Sequence, residues 1–375
     1  MKVYQITADV GTASGVGTFV RWLNAALCDV GVSSAILTKV PMPQEDSGLP
    51  DIVHIHGMWL RLHHSALNWA RMIGAKVVWS THGMTAPWSM RHKRWKKLPA
   101  WLLYQKRDLM KATVIHCTAD QEVEWNRLLG FDNCFVAPLG AYLPPLVQIP
   151  ASGSKEDNQS QTTTSTHDRY FLSGNHTLLF VGRIYPVKGL ANLIRAWKIL
   201  DDTDRPALLD WKLRIVGPDQ AGHRFELESL VRKFKLSDRI AFVGPKFGEE
   251  LGAEYKNCDC LVLPSFTENF GATIVDALAY CKPCIASTFT PWRELQVCGC
   301  GWWVPNEPTQ LALAIKEMMS LDDDERRVMG YKGRKLVEDK YSWNAVAGMM
   351  AAKYREICYG GATYKTKCSY TDFNR

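Results

Sequence analysis

No run of about 18 or more apolar residues occurs in the 375-residue chain, so no membrane-spanning helix is expected. The opening Met-Lys-Val-Tyr-Gln-Ile-Thr-Ala lacks the long apolar stretch and small-residue cleavage site of an export signal and reads as a first strand. No Gly-x-Gly-x-x-Gly follows that strand. The glycines run Gly11-Thr-Ala-Ser-Gly15-Val-Gly17, and the second strand closes on Thr38-Lys39 with no acid. Both absences count against a dinucleotide dehydrogenase. No histidine cluster of zinc-finger spacing accompanies Cys258-x-Cys260, Cys281-x2-Cys284 or Cys298-x-Cys300, so these read as buried packing cysteines. An odd total of 11 cysteines without an export signal fits the reducing cytoplasm.

What is present is an ordinary globular composition, 46% hydrophobic, in a chain long enough for two cores. The net charge of +7 is uneven. Residues 1–150 carry 15 Lys and Arg against 10 Asp and Glu, whereas residues 151–375 carry 30 against 28. Much of the surplus lies in Arg91-His-Lys-Arg-Trp-Lys-Lys97 and Lys106-Arg107, interleaved with Trp95, Trp101, Leu102, Leu103 and Tyr104. Such a stretch suits an anionic membrane or lipid-linked acceptor, a nucleic acid, or a plain solvated helix face.

Strand-like and helix-like segments alternate. Strands are expected at Val3–Ala8, Ser34–Thr38, Ile52–His56, Val77–Ser80, Thr113–Cys117 and Cys134–Ala137, with a helix over Val16–Val30. The pattern stops at Pro144-Pro145. A polar, low-complexity run through residue 175 cannot bury a core and reads as a linker. It then restarts, with strands at Thr177–Val181, Lys212–Val216, Ile240–Val243, Cys260–Leu263, Pro283–Ala286 and Gly301–Val304. Repeated βα units imply parallel sheets covered on both faces. The expected division is 1–145, a linker over 146–175, 176–342, a last helix over 343–358 and a tail over 359–375.

Two segments carry chemistry. In Pro264-Ser-Phe-Thr-Glu-Asn-Phe-Gly-Ala-Thr-Ile-Val-Asp276, Glu268 precedes a Phe270-Gly271 turn and Asp276 lies within the helix that follows. Free N–H groups and the positive dipole end at that helix start suit a phosphate, with a carboxylate on either side for hydroxyls. Asn269, Phe270, Gly271 and Ala272 would supply backbone groups. In Thr177-Leu-Leu-Phe-Val-Gly182-Arg183, a buried strand delivers Arg183 at its carboxyl end, and Lys188 stands before the next helix. Ligands of open α/β sheets bind at that edge, and two cations there would neutralise a diphosphate.

The pair Gly-Arg-x4-Lys-Gly and Glu-x7-acid, about 80 residues apart, resembles the donor-site signature of the retaining GT-B glycosyltransferases of family 4. The resemblance implies two Rossmann-like domains facing across a cleft, with Trp343–Cys358 as the helix that crosses back to the first. It implies sugar transfer from a nucleoside-diphosphate sugar to an acceptor hydroxyl, without a bound metal or other cofactor. Glu268 would face the donor sugar, Arg183 and Lys188 the diphosphate, and Lys246 the base. Asp276 would hold the ribose, although the family usually has Glu there and Asp is one methylene shorter. His82, in Ser80-Thr-His-Gly-Met, matches a histidine aimed at the donor sugar. Gly15 and Gly17 would offer amides to a phosphate or the acceptor. His54 and His56 share one face of a strand; His54 reads as structural and His56 as a candidate to face the site. Pro218 and Asp219 are weaker candidates at another strand end. Thr81-His-Gly-Met-Thr-Ala-Pro-Trp88 and the basic aromatic segment after it look like members that build surface polysaccharides on lipid carriers. Trp88, Arg94, Trp95, Lys96 and Lys97 would then meet a lipid-linked acceptor at the inner face of the membrane, with no nucleic acid involved. An epimerase or hydrolase on the same fold, and a non-catalytic sugar-nucleotide binder, are the rival readings.

Overall fold

The computed structural model describes residues 1–11, 15–41, 48–145 and 176–360. The linker expected over 146–175 and all but the first two residues of the expected tail lie outside them. The chain forms two compact units, Met1–Gly140 with the stretch from Lys340 onward, and Ala141–Asp339. The first contains β1 (Lys2–Thr7), β2 (Ser33–Leu37), β3 (Ile52–His56), β4 (Lys76–Ser80), β5 (Val114–Cys117) and β6 (Cys134–Val136). They form one parallel sheet in the order β2-β1-β3-β4-β5-β6. The second contains β7 (His176–Val181), β8 (Trp211–Val216), β9 (Ile240–Gly244), β10 (Cys260–Leu263), β11 (Cys284–Ser287) and β12 (Gly301–Val304). Its order is β12-β11-β10-β7-β8-β9, again all parallel.

Near-continuous apolar strands are what a parallel sheet needs, because helices cover both its faces. β10 is buried at all four positions, and β3 at all five despite two histidines. The helix Gly15–Asp29 turns Phe19, Val20, Leu23, Ala26 and Leu27 inward. Against them pack Val346, Ala347, Met350, Ala351 and Tyr354 of the helix Trp343–Tyr359, so the C-terminal helix completes the core of the first unit. Ser342 caps that helix by accepting from the Ala345 amide. Ala141–Pro145 belong to the second unit, where Arg334 Nη1 donates to the Pro144 carbonyl at 2.9 Å.

Each sheet has one place where successive connections depart in opposite directions, β1/β3 in the first and β7/β10 in the second. Loops leaving the carboxyl ends of two such strands diverge and open a crevice, the usual ligand position in this architecture. In the second unit those loops are 182–189 and 264–271. No helix among the described residues is long and apolar enough to cross a membrane.

Candidate functional site

The β7 and β10 loops bring Lys188 and Glu268 together. Lys188 Nζ and Glu268 Oε1 form an ion pair, each side chain only 13% exposed. Ser265 Oγ donates to the same carboxylate oxygen at 2.8 Å. The Phe266 amide donates to the Val187 carbonyl at 2.8 Å, tying the two loops by their backbones. Gly189 makes this approach feasible. It has φ +70, and a Cβ there would lie 1.9 Å from the Pro264 carbonyl oxygen, so only glycine fits.

The carbonyls of the 264–271 loop point into the core. Asn306 Nδ2 holds that of Pro264, Ser287 Oγ that of Ser265, and Trp292 Nε1 that of Phe270. Asn192 Nδ2 in turn donates to the Asn306 carbonyl at 2.9 Å. Gly271, at φ +83, then leads into the helix Ala272–Ala279. Thr273 Oγ1, in its first turn, is buried with no hydrogen-bond partner. Free amides and a spare hydroxyl at one helix start make an anion site. Asn192, Ser287, Trp292, Asn306 and Thr273 were not singled out from the sequence. They come from four separate segments, and no local pattern joins them.

Arg183 is exposed, and its Nη1 donates to Gln220 Oε1 at 3.1 Å, in the loop after β8. Gly182, just before it, has φ +157. Asp219 is occupied in starting a helix, accepting from the Arg224 amide at 3.0 Å, which accounts for it structurally. Lys246, after β9, lies 3.7 Å from Glu250. Asp276 is partly covered, and burial pushes its carboxyl up to about 7. The Tyr255 hydroxyl beside it pulls the other way, though the two lack the geometry of a full hydrogen bond.

In the first unit, Gly15 has open space around it, whereas Gly17 is buried. A Cβ on Gly17 would come within 2.9 Å of the Asp9 and Gly11 carbonyl oxygens, so tight packing of the turn explains this glycine. His82 follows β4 in a left-handed turn, φ +49. Buried Glu122 holds that turn from both sides, accepting from Thr81 Oγ1 at 2.6 Å and the Gly83 amide at 2.5 Å. Burial, then His116 and His63, push the His82 imidazole down to about 3, so it is neutral at pH 7. Phe19 packs edge-on against it, ring centres 5.2 Å apart. His56 does not face a ligand: it is 1% exposed, and Gln5 and His82 take both ring nitrogens. Its strand lies mid-sheet, so the alternation that put it on one face put it under a helix.

The basic aromatic segment is a broken helix. Pro87–Arg91 and Arg94–Ala100 are separated by Lys93 at φ +51, and a wider π-turn over Trp101–Gln105 follows Pro99. Proline supplies no N–H and crowds the preceding turn, which accounts for the change of pitch. Trp88, Trp95, Leu102 and Leu103 are exposed. Lys96 Nζ sits 4.8 Å over the Trp95 ring. Lys97 turns inward instead, donating to the Ser89 carbonyl at 2.6 Å. Behind the segment is a cavity of ≈ 370 Å³ whose walls include Met90, Arg91, Arg94, Lys97, Trp101 and Trp125.

Of the paired cysteines, Cys258, Cys260, Cys284 and Cys300 are buried, and burial raises all four thiols, whereas Cys281 and Cys298 are only half-buried, at the ends of their elements. One further group, unforeseen from the sequence, is His176, Asp259 and Asp323, whose ligand atoms lie within 4.8 Å of one another. It sits at the amino end of β7, opposite the Lys188–Glu268 pair. Asp259 already accepts from the Thr177 amide at 2.6 Å, and Asp323 is paired with Arg326.

Residues 165–336 match the family model for glycosyl transferases group 1, and residues 44–140 that for a glycosyl transferase 4-like domain. The D-inositol 3-phosphate glycosyltransferase of Salinispora tropica is 30% identical over 202 residues, covering 52% of this chain and 40% of that protein. The matches span less than half the length of the first curated relatives. Among solved structures, a glycosyltransferase from Rickettsia africae superposes with TM-score 0.70 at 18% identity, covering 96% of this chain and 99% of that one. HepE from Anabaena, solved with UDP and glucose, gives 0.65 at 15% identity, covering 94% and 99%. At these identities the two structures establish the fold, and the family models carry the membership. The chain belongs to the group 1 glycosyltransferases and has their GT-B fold.

Proposed function

We propose that the protein moves a sugar from a nucleoside-diphosphate sugar to an acceptor hydroxyl with retention at the anomeric carbon. The observation that carries this reading is the Lys188–Glu268 pair at the carboxyl ends of β7 and β10, with the Thr273 hydroxyl in the first turn of the helix that follows Gly271 in the same β10 connection. Lys188, Arg183 and those amides stabilise the departing diphosphate. That is the charge to be neutralised, and fixed cations and amides do so without a metal ion. Glu268 orients the donor sugar, Asp276 meets the ribose and Lys246 the base. His82, in the first unit, serves a sugar hydroxyl. The same class of ligand is bound in the Anabaena neighbour, whose structure holds UDP and glucose.

The acceptor belongs to surface polysaccharide or glycolipid assembly on this reading. Exposed Trp88, Trp95, Leu102 and Leu103 beside Arg91, Arg94 and Lys96 suit an anionic membrane surface. The cavity behind them combines apolar walls with cations, as an amphiphilic phosphate-linked acceptor requires. The protein then works as a peripheral protein on the cytoplasmic face of the membrane.

Two measurements test this. Incubating the protein with UDP-, GDP-, ADP- and dTDP-sugars, with and without membrane-lipid extract, should release one nucleoside diphosphate in an extract-dependent manner, and NMR of the product should show the donor's anomeric configuration. Extract-independent release would mean a hydrolase, and an inverted product would overturn retention. Sedimentation with phosphatidylglycerol vesicles should lose about a hundredfold in affinity when Arg91, Arg94 and Lys96 are changed to Gln, since each basic residue near such a surface contributes roughly 1 kcal/mol. Unchanged sedimentation would return the segment to a solvated face.

A further inference from the structure

Trp59 holds a backbone conformation that suits it poorly. It lies just past β3, on the loop that leaves one of the two strands at the first sheet's switch point. Its φ is +78, in the left-handed region, where a bulky side chain crowds its own backbone. Among the described non-glycine residues with positive φ it is the largest. Such a conformation lasts only where the surroundings over-determine it, and residues so held cluster at ligand sites.

The surroundings hold Trp59 by both of its backbone polar groups. Its amide donates to Gln105 Oε1 at 2.7 Å, and its carbonyl accepts from the Tyr104 hydroxyl at 2.7 Å. Just before it, the Gly57 carbonyl accepts from Trp79 Nε1 at 2.8 Å. Tyr104 and Gln105 are successive residues of the π-turn Trp101–Gln105, whose wider pitch turns neighbours toward one side more than an α-turn does. Gln105 is fully buried, and its Nε2 has no hydrogen-bond partner among the described residues. An orphaned buried donor is costly, so an apolar residue would suit that position better if the Trp59 amide did not have to be held.

The indole that these contacts fix is half-buried. Lys97 Nζ stands 5.6 Å over its ring, and the Trp101 ring centre lies 6.1 Å away. Lys97 and Trp101 also line the cavity of ≈ 370 Å³ behind the basic aromatic segment. Trp59 therefore links that cavity to the carboxyl edge of the first sheet, where ligands of such sheets bind. A molecule seated there must offer an apolar face to the indole and oxygen atoms to Lys97. A pyranose does both, with its ring C–H groups on the faces and its hydroxyls around the rim.

We infer that Trp59 is a specificity-determining residue on which a sugar ring of the acceptor stacks, and that Tyr104 and Gln105 are positioning residues that hold it there. The cavity then takes the acceptor's lipid end. That the stacked sugar belongs to an acceptor rests on the sugar-transfer reading. Trp59 and its two clamps are 46 and 45 positions apart in the chain, so no local motif announces them.

The test uses n-octyl β-D-glucopyranoside, below its micellar concentration, as a glycoside with an apolar tail. Saturation-transfer NMR with the full chain should show saturation reaching the ring protons of one glucose face as well as the octyl chain. Ring protons that receive none overturn the inference. Glycine adopts φ +78 freely, so Trp59→Gly removes the indole without straining the loop. In that variant saturation should leave the ring protons and stay on the chain, with affinity for the glucoside falling about fivefold, the worth of one aromatic contact. Equal ring saturation there overturns the inference, because a merely structural Trp59 would not separate the sugar from its tail. Should Trp59→Gly fail to fold, Trp59→Leu keeps apolar bulk without an aromatic face, and the same comparison decides. Gln105→Met keeps the side chain's length and frees the Trp59 amide, and most of the ring saturation should be lost with it. An unchanged pattern overturns the clamp. The two readings fail separately. A stacked glucoside on a protein that transfers no sugar sinks the transfer reading alone, and extract-dependent transfer at an unchanged rate in Trp59→Gly sinks this assignment alone.

Discussion

Changing Glu268 to Gln should cut sugar transfer by about a hundredfold or more while leaving nucleoside-diphosphate affinity equal or higher, because the loss falls on an interaction made with the reacting sugar. The geometry separates the two effects. Lys188 spends its charge on Glu268, both side chains largely covered. Removing the carboxylate charge and keeping an oxygen there leaves Ser265 and Lys188 an acceptor, and frees the lysine's field for the diphosphate. The unliganded variant should lose roughly 1–3 kcal/mol of stability, as expected for a covered charge deprived of its counter-charge. Added diphosphate should therefore raise its melting temperature more than it raises that of the unchanged protein. Calorimetric titration and product release measure the two halves. Turnover within about fivefold of normal would remove Glu268 from the sugar's surroundings, and a large loss of diphosphate affinity would make the pair a structural clasp.

Much of this site was legible before any coordinates, and for a physical reason. Arg183, Lys188, Glu268 and Asp276 follow strands whose apolar runs mark them as buried, and in a parallel sheet the carboxyl end of such a strand is where ligands bind. The Lys188–Glu268 contact was not foreseen: it needs the sheet order, in which β7 and β10 are neighbours at the point where the chain reverses direction. What could not be read was support that depends on pairing distant segments. Asn306, Ser287 and Trp292 turn the loop carbonyls inward from two later segments, and each looks unremarkable in its own stretch. His56 shows the limit of periodicity. Alternation correctly placed it beside His54 on one face, but which face a helix covers depends on where Gly15–Asp29 and Trp343–Tyr359 dock. Lys97 is similar: its charge suggested a surface role, and a contact eight residues back along the chain turned it inward.

Asp276 offers the other large effect, in pH. Burial raises its carboxyl from an ordinary 3.8 to about 7, so between those values the folded protein holds a proton that the unfolded chain has released. Stability must then fall as pH rises across that window and level off above it. Changing Asp276 to Asn removes the penalty. The variant should match the unchanged protein near pH 4 and exceed it at pH 8 by roughly 2 kcal/mol, about half of full linkage because the side chain retains some solvent. Urea unfolding at the two pH values checks this, and parallel curves would mean that the carboxyl is ionised throughout. Binding carries the opposite slope. A ribose diol donates to an ionised carboxylate, so nucleoside-diphosphate affinity should rise between pH 6 and 8 in the unchanged protein and stay flat in the variant. If affinity is flat in both while the stability difference persists, Asp276 is a buried acid facing Tyr255 and the ribose is held elsewhere. If affinity rises with pH only when Asp276 is present, the shorter acid reaches the ribose, and the proton it must shed makes sugar-nucleotide binding sensitive to pH near neutrality.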